Sequence, residues 1–236
     1  MIGAFSDDDL ASPTRSTVPL LSMLKDGREQ LSHLFQDLGV PPTTDLHCEY
    51  RVPARRGRGL PSQTDLMVLA GDSSWAIEAK WTEPRYETVA DRLVGDADES
   101  NRTEVLRGWL EMIQPFASIP LHISRVRPAV YQMIHRTASA CAIGVRPALV
   151  YLLFHTPDSI AKGFYREDLA LLHELLGRPT GLAFYQVAVK IAPTAAFDAI
   201  RSLRRGKPGT GRRVKHALLT EKLFEVSAPI VERIHG

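Results

Sequence analysis

The chain has 236 residues, 44% hydrophobic and 24% charged, with a formal net charge of only +2, which fits one globular domain and excludes a disordered or globally basic chain. Two cysteines, Cys48 and Cys141, exclude a disulfide framework, and no apolar run approaches the ~18 residues of a membrane span. With no signal peptide in view, a reduced, cytoplasmic setting without membrane contact is expected.

Residues 1 to 16 carry Asp7-Asp8-Asp9 and Pro13 and read as a loose arm. From Val18 to Leu38 leucines recur at helical spacing, and Gly39 with Pro41-Pro42 ends the run. Leu46 to Val52 alternates as a half-buried strand, with Leu46, Cys48, Tyr50 and Val52 on one side. A basic turn, Arg55-Arg56-Gly57-Arg58-Gly59, leads to two further strands, one starting at Asp65 and one ending at Lys80. Helices are predicted over 102–116 and 129–142, and the apolar run 148–154 suits a strand covered on both faces. A helix over 166–176, a strand over 182–191, a short helix over 197–203 and a terminal helix complete the chain.

This order predicts an α/β fold with a mixed central sheet and helices on both faces. After the arm, residues 17–236 form one domain, with a helical insertion over about 82–126 and a basic extension over about 204–236.

The segment Asp65 to Lys80 concentrates the chemistry. Gly71-Asp72-Ser73-Ser74 supplies hairpin-turn residues. With Asp72-Ser73 as the turn, Asp65 lies opposite Lys80 and Met67 opposite Glu78. Asp65 is then a diagonal neighbour of Glu78. Alternation puts Glu78 and Lys80 on one face and Ile77, Ala79 and Trp81 on the other. Two acids and an ammonium so placed suit a divalent metal beside a phosphate, although a surface hairpin with an ordinary Glu/Lys pair has the same residues.

Asp65 followed, after twelve residues, by Glu78-Ala79-Lys80 resembles the PD-(D/E)XK nuclease superfamily over about residues 18 to 155. Gln63-Thr64 stand where that family usually has Pro before the Asp. The resemblance implies an αβββαβ restriction endonuclease-like core and hydrolysis of phosphodiester bonds, in DNA rather than RNA. It implies Mg²⁺, with Mn²⁺ as a substitute, on Asp65, Glu78 and the Ala79 carbonyl, with Lys80 stabilising the attacking water or the transition state. An additional acid would come from Glu29 in the first helix or Glu49 in the first strand. The resemblance also points to Gln132 and Arg136 on the 129–142 helix, where they share a side with Ser139. Gln132 would hold a water or phosphate oxygen, and Arg136 would fork a phosphate. A plain polar helix face is the competing reading.

Two basic clusters could follow a nucleic-acid backbone: Arg55, Arg56 and Arg58 with Arg51, and Arg212 and Arg213 with Arg204, Arg205, Lys207 and Lys215. The glycines around Lys207 do not spell a P-loop, and no zinc spacing, G-x-S-x-G elbow or dinucleotide fingerprint is present. Cutting both strands of a duplex would need two sites, which leaves room for a homodimer. The rival expectation is an inactive module on the same fold that binds nucleic acid or a protein partner.

Overall fold

The computed structural model describes residues 2–96, 100–159, 163–203 and 207–235. After a short 3-10 turn at Ile2–Ala4 come α1 (Thr17–Asp26), α2 (Arg28–Asp37), β1 (Asp45–Val52), β2 (Ser62–Ala70) and β3 (Ser73–Lys80). The long connection to the next strand carries α3 (Val89–Arg92), α4 (Asn101–Ile113), α5 (Ile123–Val126) and α6 (Tyr131–Cys141). Then follow β4 (Arg146–His155), α7 (Phe164–Leu175), β5 (Ala183–Pro193), α8 (Ala195–Arg201), α9 (Thr210–Thr220), β6 (Phe224–Val226) and β7 (Ile230–Arg233).

The strands form one mixed sheet in the order β1-β2-β3-β4-β5, with β6 and β7 both on the outer side of β5. β2 runs antiparallel to β1 and β3, whereas β3, β4 and β5 are parallel. Helices cover both faces. One core lies between the sheet and α1, α2, α8 and α9. The other lies under α4, α6 and α7. β3 is buried along its whole length and β4 along all but its ends, as parallel central strands must be. Among the described residues no helix is long and apolar enough to cross a membrane.

Several expectations are corrected. The helix over 18–38 is two, broken at Gly27, whose amide closes α1 by bonding Met23 O at 2.8 Å. Residues 2–16 are docked rather than loose, because Ile2, Phe5 and Leu10 are buried in the core and Lys215 Nζ donates to Gly3 O and Phe5 O. The basic extension holds α9, which buries Val214, Ala217 and Leu218. The final residues are strands rather than a helix. Arg204 and Arg205 lie outside the described residues.

The hairpin register also differs. Ala70 pairs with Ser73, and Leu66 pairs with Ile77. The turn residues are therefore Gly71-Asp72, and Gly71 takes φ 53, a left-handed value that asks for glycine. One step past the Leu66–Ile77 pair, Asp65 draws level with Glu78. The two acids keep a common face and stand closer than the diagonal arrangement would put them.

Alternation fails once in β1. Leu46 and Cys48 pack in the α1 core, whereas Tyr50 and Val52 pack in the α6 core. The reversal falls at Glu49, whose φ of 54 turns the pleat over. Ser62, paired with Val52, is brought to the α6 side with it.

Candidate functional site

Alternation along β3 points Glu78 and Lys80 at α6 while Ile77 and Ala79 enter the opposite core. Both charged side chains are deeply buried, at 2% and 3% exposure. A carboxylate that deep needs a donor on each oxygen and positive charge beside it. Lys80 Nζ and Gln132 Nε2 each donate to Glu78 Oε1 at 2.8 Å, and Arg136 Nε donates to Glu78 Oε2. Gln132 and Arg136 are one helical turn apart on α6, which is why both reach a single side chain.

Further groups hold these donors. Arg136 Nη1 donates to Ser62 Oγ at 2.7 Å and to His135 Nδ1 at 3.0 Å. Because a guanidinium only donates, His135 Nδ1 is the acceptor and carries no proton. The Ser62 hydroxyl therefore donates to it at 2.9 Å. Tyr151 OH donates to Gln132 Oε1 at 3.4 Å. Lys80 Nζ lies 4.6 Å from the centre of the Tyr86 ring, a cation–π contact. The segment leading into Tyr86 is pinned at two points. Glu83 accepts from Ser16 N at 2.8 Å, and Arg85 Nε donates to Asp168 Oδ2 at 2.9 Å.

Asp65 is half-buried. Among the described residues its one donor is the Ala79 amide, 2.8 Å from Oδ2. Glu49 is also half-buried and accepts from Gln63 Nε2.

The charges sort themselves accordingly. Burial opposes the Glu78 carboxylate, but Arg136 and Lys80 overcome it and hold Glu78 below the usual range. Burial likewise opposes the Lys80 ammonium, yet Glu78 and Asp65 keep it firmly charged. Asp65 goes the other way: burial, and then the Glu78 carboxylate, push it well above the usual range against the pull of Lys80 and Arg136. Burial also raises Glu49. Burial, followed by the Arg136 charge, presses the His135 imidazole well below its usual range.

Three carboxylates thus share two cations, and Asp65 is the acid left short of positive charge. Among the described residues no three of His, Cys, Asp and Glu meet at metal-ligand spacing. What is present is a pair of acids with the peptide of Ala79 between their strands. A small hard cation that keeps most of its waters needs only one or two carboxylates; Asp65 and Glu78 are the two acids here, and both oxygens of Glu78 already accept from Lys80, Gln132 and Arg136.

The remaining candidates are scattered. Glu29 is exposed on α2, across the sheet from Glu78, because the helix that carries it packs in the α1 core. Arg136 is 7% exposed and bound to Glu78, so it is not a free phosphate fork. Ser139 donates to His135 O within α6. Arg55 and Arg58 are exposed, and Arg56 is exposed but paired with Glu104 at 2.6 Å and Glu111 at 3.1 Å. This loop lies on α4 at Gly108, where an added Cβ would come within 2.5 Å of Arg56 N. Arg212 and Arg213 are exposed on α9, on the other face of the sheet, so among the described residues the two basic clusters form no common patch.

Sequence reasoning overlooked Ser62, Tyr86 and Tyr151. Ser62 is hidden by the pleat reversal at Glu49, and nothing in Tyr86 or Tyr151 announces a charged neighbour distant in sequence.

Residues 4–191 match a family described as a domain of unknown function (DUF6946). The chain belongs to that family. No curated protein and no solved structure matches it. The matched span runs from the first turn to β5 and includes every residue of the cluster around Glu78, whereas α8, α9, β6 and β7 lie beyond it.

Proposed function

We propose that this protein is a metal-dependent nuclease of the PD-(D/E)XK type that hydrolyses phosphodiester bonds in DNA. The observation that carries this reading is that Asp65 on β2 bonds the amide of Ala79, which lies between Glu78 and Lys80 on β3, with Gln132 and Arg136 fixing the Glu78 carboxylate. The order α2, β1, β2, β3, α6, β4 supports it, being compatible with an αβββαβ core interrupted by α3, α4 and α5 between β3 and α6.

Asp65, Glu78 and the Ala79 carbonyl would hold Mg²⁺ or Mn²⁺. Such an ion supplies polarisation of the scissile phosphate and a more acidic water. Lys80, kept protonated by its two acid neighbours, is suited to stabilising negative charge as it grows on the phosphate and unsuited to acting as a base. Gln132 and Arg136 hold Glu78 in one rotamer, and Ser62 and His135 hold Arg136. Tyr86 shields the ammonium from water. Glu49, the nearest further acid on β1, would complete the shell. The exposed Arg55 and Arg58 would follow the nucleic-acid backbone.

The test is incubation of the purified protein with plasmid and single-stranded DNA in Mg²⁺ or Mn²⁺. Nicking or degradation is expected, with loss in Asp65→Asn and in EDTA. Cleavage that survives Asp65→Asn would refute the assignment.

One observation favours a second reading. Glu78 is already neutralised by Lys80 and Arg136, so the cluster can stand as a purely structural ion network in a module that binds nucleic acid or a protein partner. That module would retard DNA at low salt, bind no Mn²⁺ and cut nothing.

A further inference from the structure

We propose that residues 82–87 form a strap that closes the approach to Lys80 and lifts to admit a ligand to the charged cluster, with the Arg85–Asp168 ion pair as its latch. The identity of that ligand, a nucleic-acid strand, rests on the nuclease reading. A lysine that stabilises charge on a substrate has to touch it, yet Lys80 is sealed at 3% exposure and the Tyr86 ring stands 4.6 Å from its Nζ. Tyr86 is itself 45% exposed, so its ring covers the ammonium from the surface rather than from the core.

The six residues belong to no helix or strand and nearly all are exposed. They hang between two fixed points. One is the end of β3 at Lys80. At the other, Glu87 O accepts from Tyr131 N at 3.0 Å and Thr88 bridges to Val130. Between these points side chains do the holding. Glu83 accepts from Ser16 N and Trp81 N, each at 2.8 Å, and Thr82 Oγ1 donates to Thr14 O at 2.6 Å. Arg85 grips both oxygens of Asp168, from Nε at 2.9 Å and from Nη2 at 2.5 Å. A segment with so little backbone bonding and so much exposure is drawn from the least stable part of a fold and opens locally.

Tyr165 shows that the closed position leaves one group unsatisfied. It stands three residues before Asp168 on α7, so the two share a helix face, and both are buried. Tyr165, Lys80 and Thr82 line one cavity of about 570 Å³. The Tyr165 hydroxyl has no hydrogen-bond partner among the described residues. Burial pushes the phenol up to about 12, with the charges of Lys80 and Glu83 acting on it as well, so it keeps its proton next to the strap. A buried hydroxyl without a partner calls for a reason, and a strap that lifts would let water reach it. The latch and the Tyr86 contact therefore favour closure while the unpaired hydroxyl opposes it, which makes the strap an element with two positions.

Acetylation of Lys80 by acetic anhydride reads the strap directly. It is followed by mass spectrometry in EDTA without DNA, with the exposed Lys190 as the reactivity standard. Amide exchange along the buried β4 reports global unfolding. Lys80 should react faster than that unfolding allows, at a rate that low urea leaves unchanged, because lifting a strap exposes little surface. Asp168→Asn releases Arg85 without leaving a buried charge and should speed the reaction about 10-fold. Tyr165→Phe removes the group that opposes closure and should slow it about 5-fold or more. Lys80 reacting only in step with β4 exchange, or a rate that either substitution leaves unmoved, would overturn the proposal. A protein whose Lys80 responds in these opposite directions but cuts no DNA keeps the strap and loses the nuclease assignment. One that cuts DNA while Lys80 ignores both substitutions loses only the strap.

Discussion

Ile77 and Glu78 are consecutive residues of β3 with opposite surroundings. Ile77 enters a layer of hydrocarbon beneath α1, α8 and α9, and Glu78 enters a ring of donors beneath α6. Both are buried, at 0% and 2% exposure, but burial has different consequences for them. On the first face each buried methylene contributes about 0.8 kcal/mol on its own account. On the second, Glu78, Lys80, Gln132 and Arg136 are tolerable only as a set, because each would be an uncompensated polar group without the others. One sheet thus carries a face made for cohesion and a face made for fixed charge.

The largest expected effect comes from breaking the set. Glu78→Ala leaves Lys80 and Arg136 buried without a carboxylate and should cost about 3–5 kcal/mol in urea unfolding. A loss under about 1 kcal/mol would mean that water already neutralises them. Next is Asp65→Asn, where stability and activity should part. Cleavage should fall by about 10²–10³-fold or more. In EDTA at neutral pH the melting temperature should rise, because the raised Asp65 carboxyl binds its proton more tightly in the folded chain than in the unfolded one, so stability drains away as pH rises, and the amide removes that loss. A melting temperature that falls with the substitution would show Asp65 to be already compensated. On the other face, Ile77→Val should cost about 0.5–1.5 kcal/mol and leave cleavage untouched. A change in its metal dependence would show that the faces are coupled.

A smaller effect concerns pH. His135 is held neutral by burial and by Arg136, so below its ordinary value of 6.5 the unfolded chain takes up a proton that the folded chain refuses. Stability is whole above that value and declines as pH falls beneath it. Melting curves between about pH 7 and pH 5 should show that slope, reduced in His135→Asn, which keeps a polar group beside Ser62 and Arg136. Smallest is Arg58→Ala on the exposed loop. It should weaken DNA binding uniformly across sequences and lower the salt slope by about 1. A sequence-selective loss would place that loop at the bases.

Local patterns made much of this legible. Period-two alternation put Glu78 and Lys80 on one face and Ile77 and Ala79 on the other. The apolar run of β4 marked a strand with two covered faces, whereas Gln132 and Arg136 stood out on α6 through the family resemblance and by local pattern were no more than a polar helix face. What escaped depends on distant partners or on the backbone. Leucine spacing runs on through Gly27, so nothing but the chain geometry reveals the break. The arginines and lysine of α9 outweigh Val214, Ala217 and Leu218 in any compositional reading, although those three share one face and are buried. The burial of Arg136 follows from Glu78, more than fifty residues away in sequence, and no local rule foresees it.

The left-handed Glu49 has a meaning apart from chemistry. β1 is the margin of the sheet, bonded to β2 alone, and a flat outer strand would offer its free amides and carbonyls to any extended segment it met. Turning the backbone over midway breaks that row into two short pieces with differing orientation. The kink that carries an acid towards Asp65 also keeps neighbouring molecules from extending the sheet, and a residue restoring the regular pleat there would trade one safeguard against aggregation for a straighter strand.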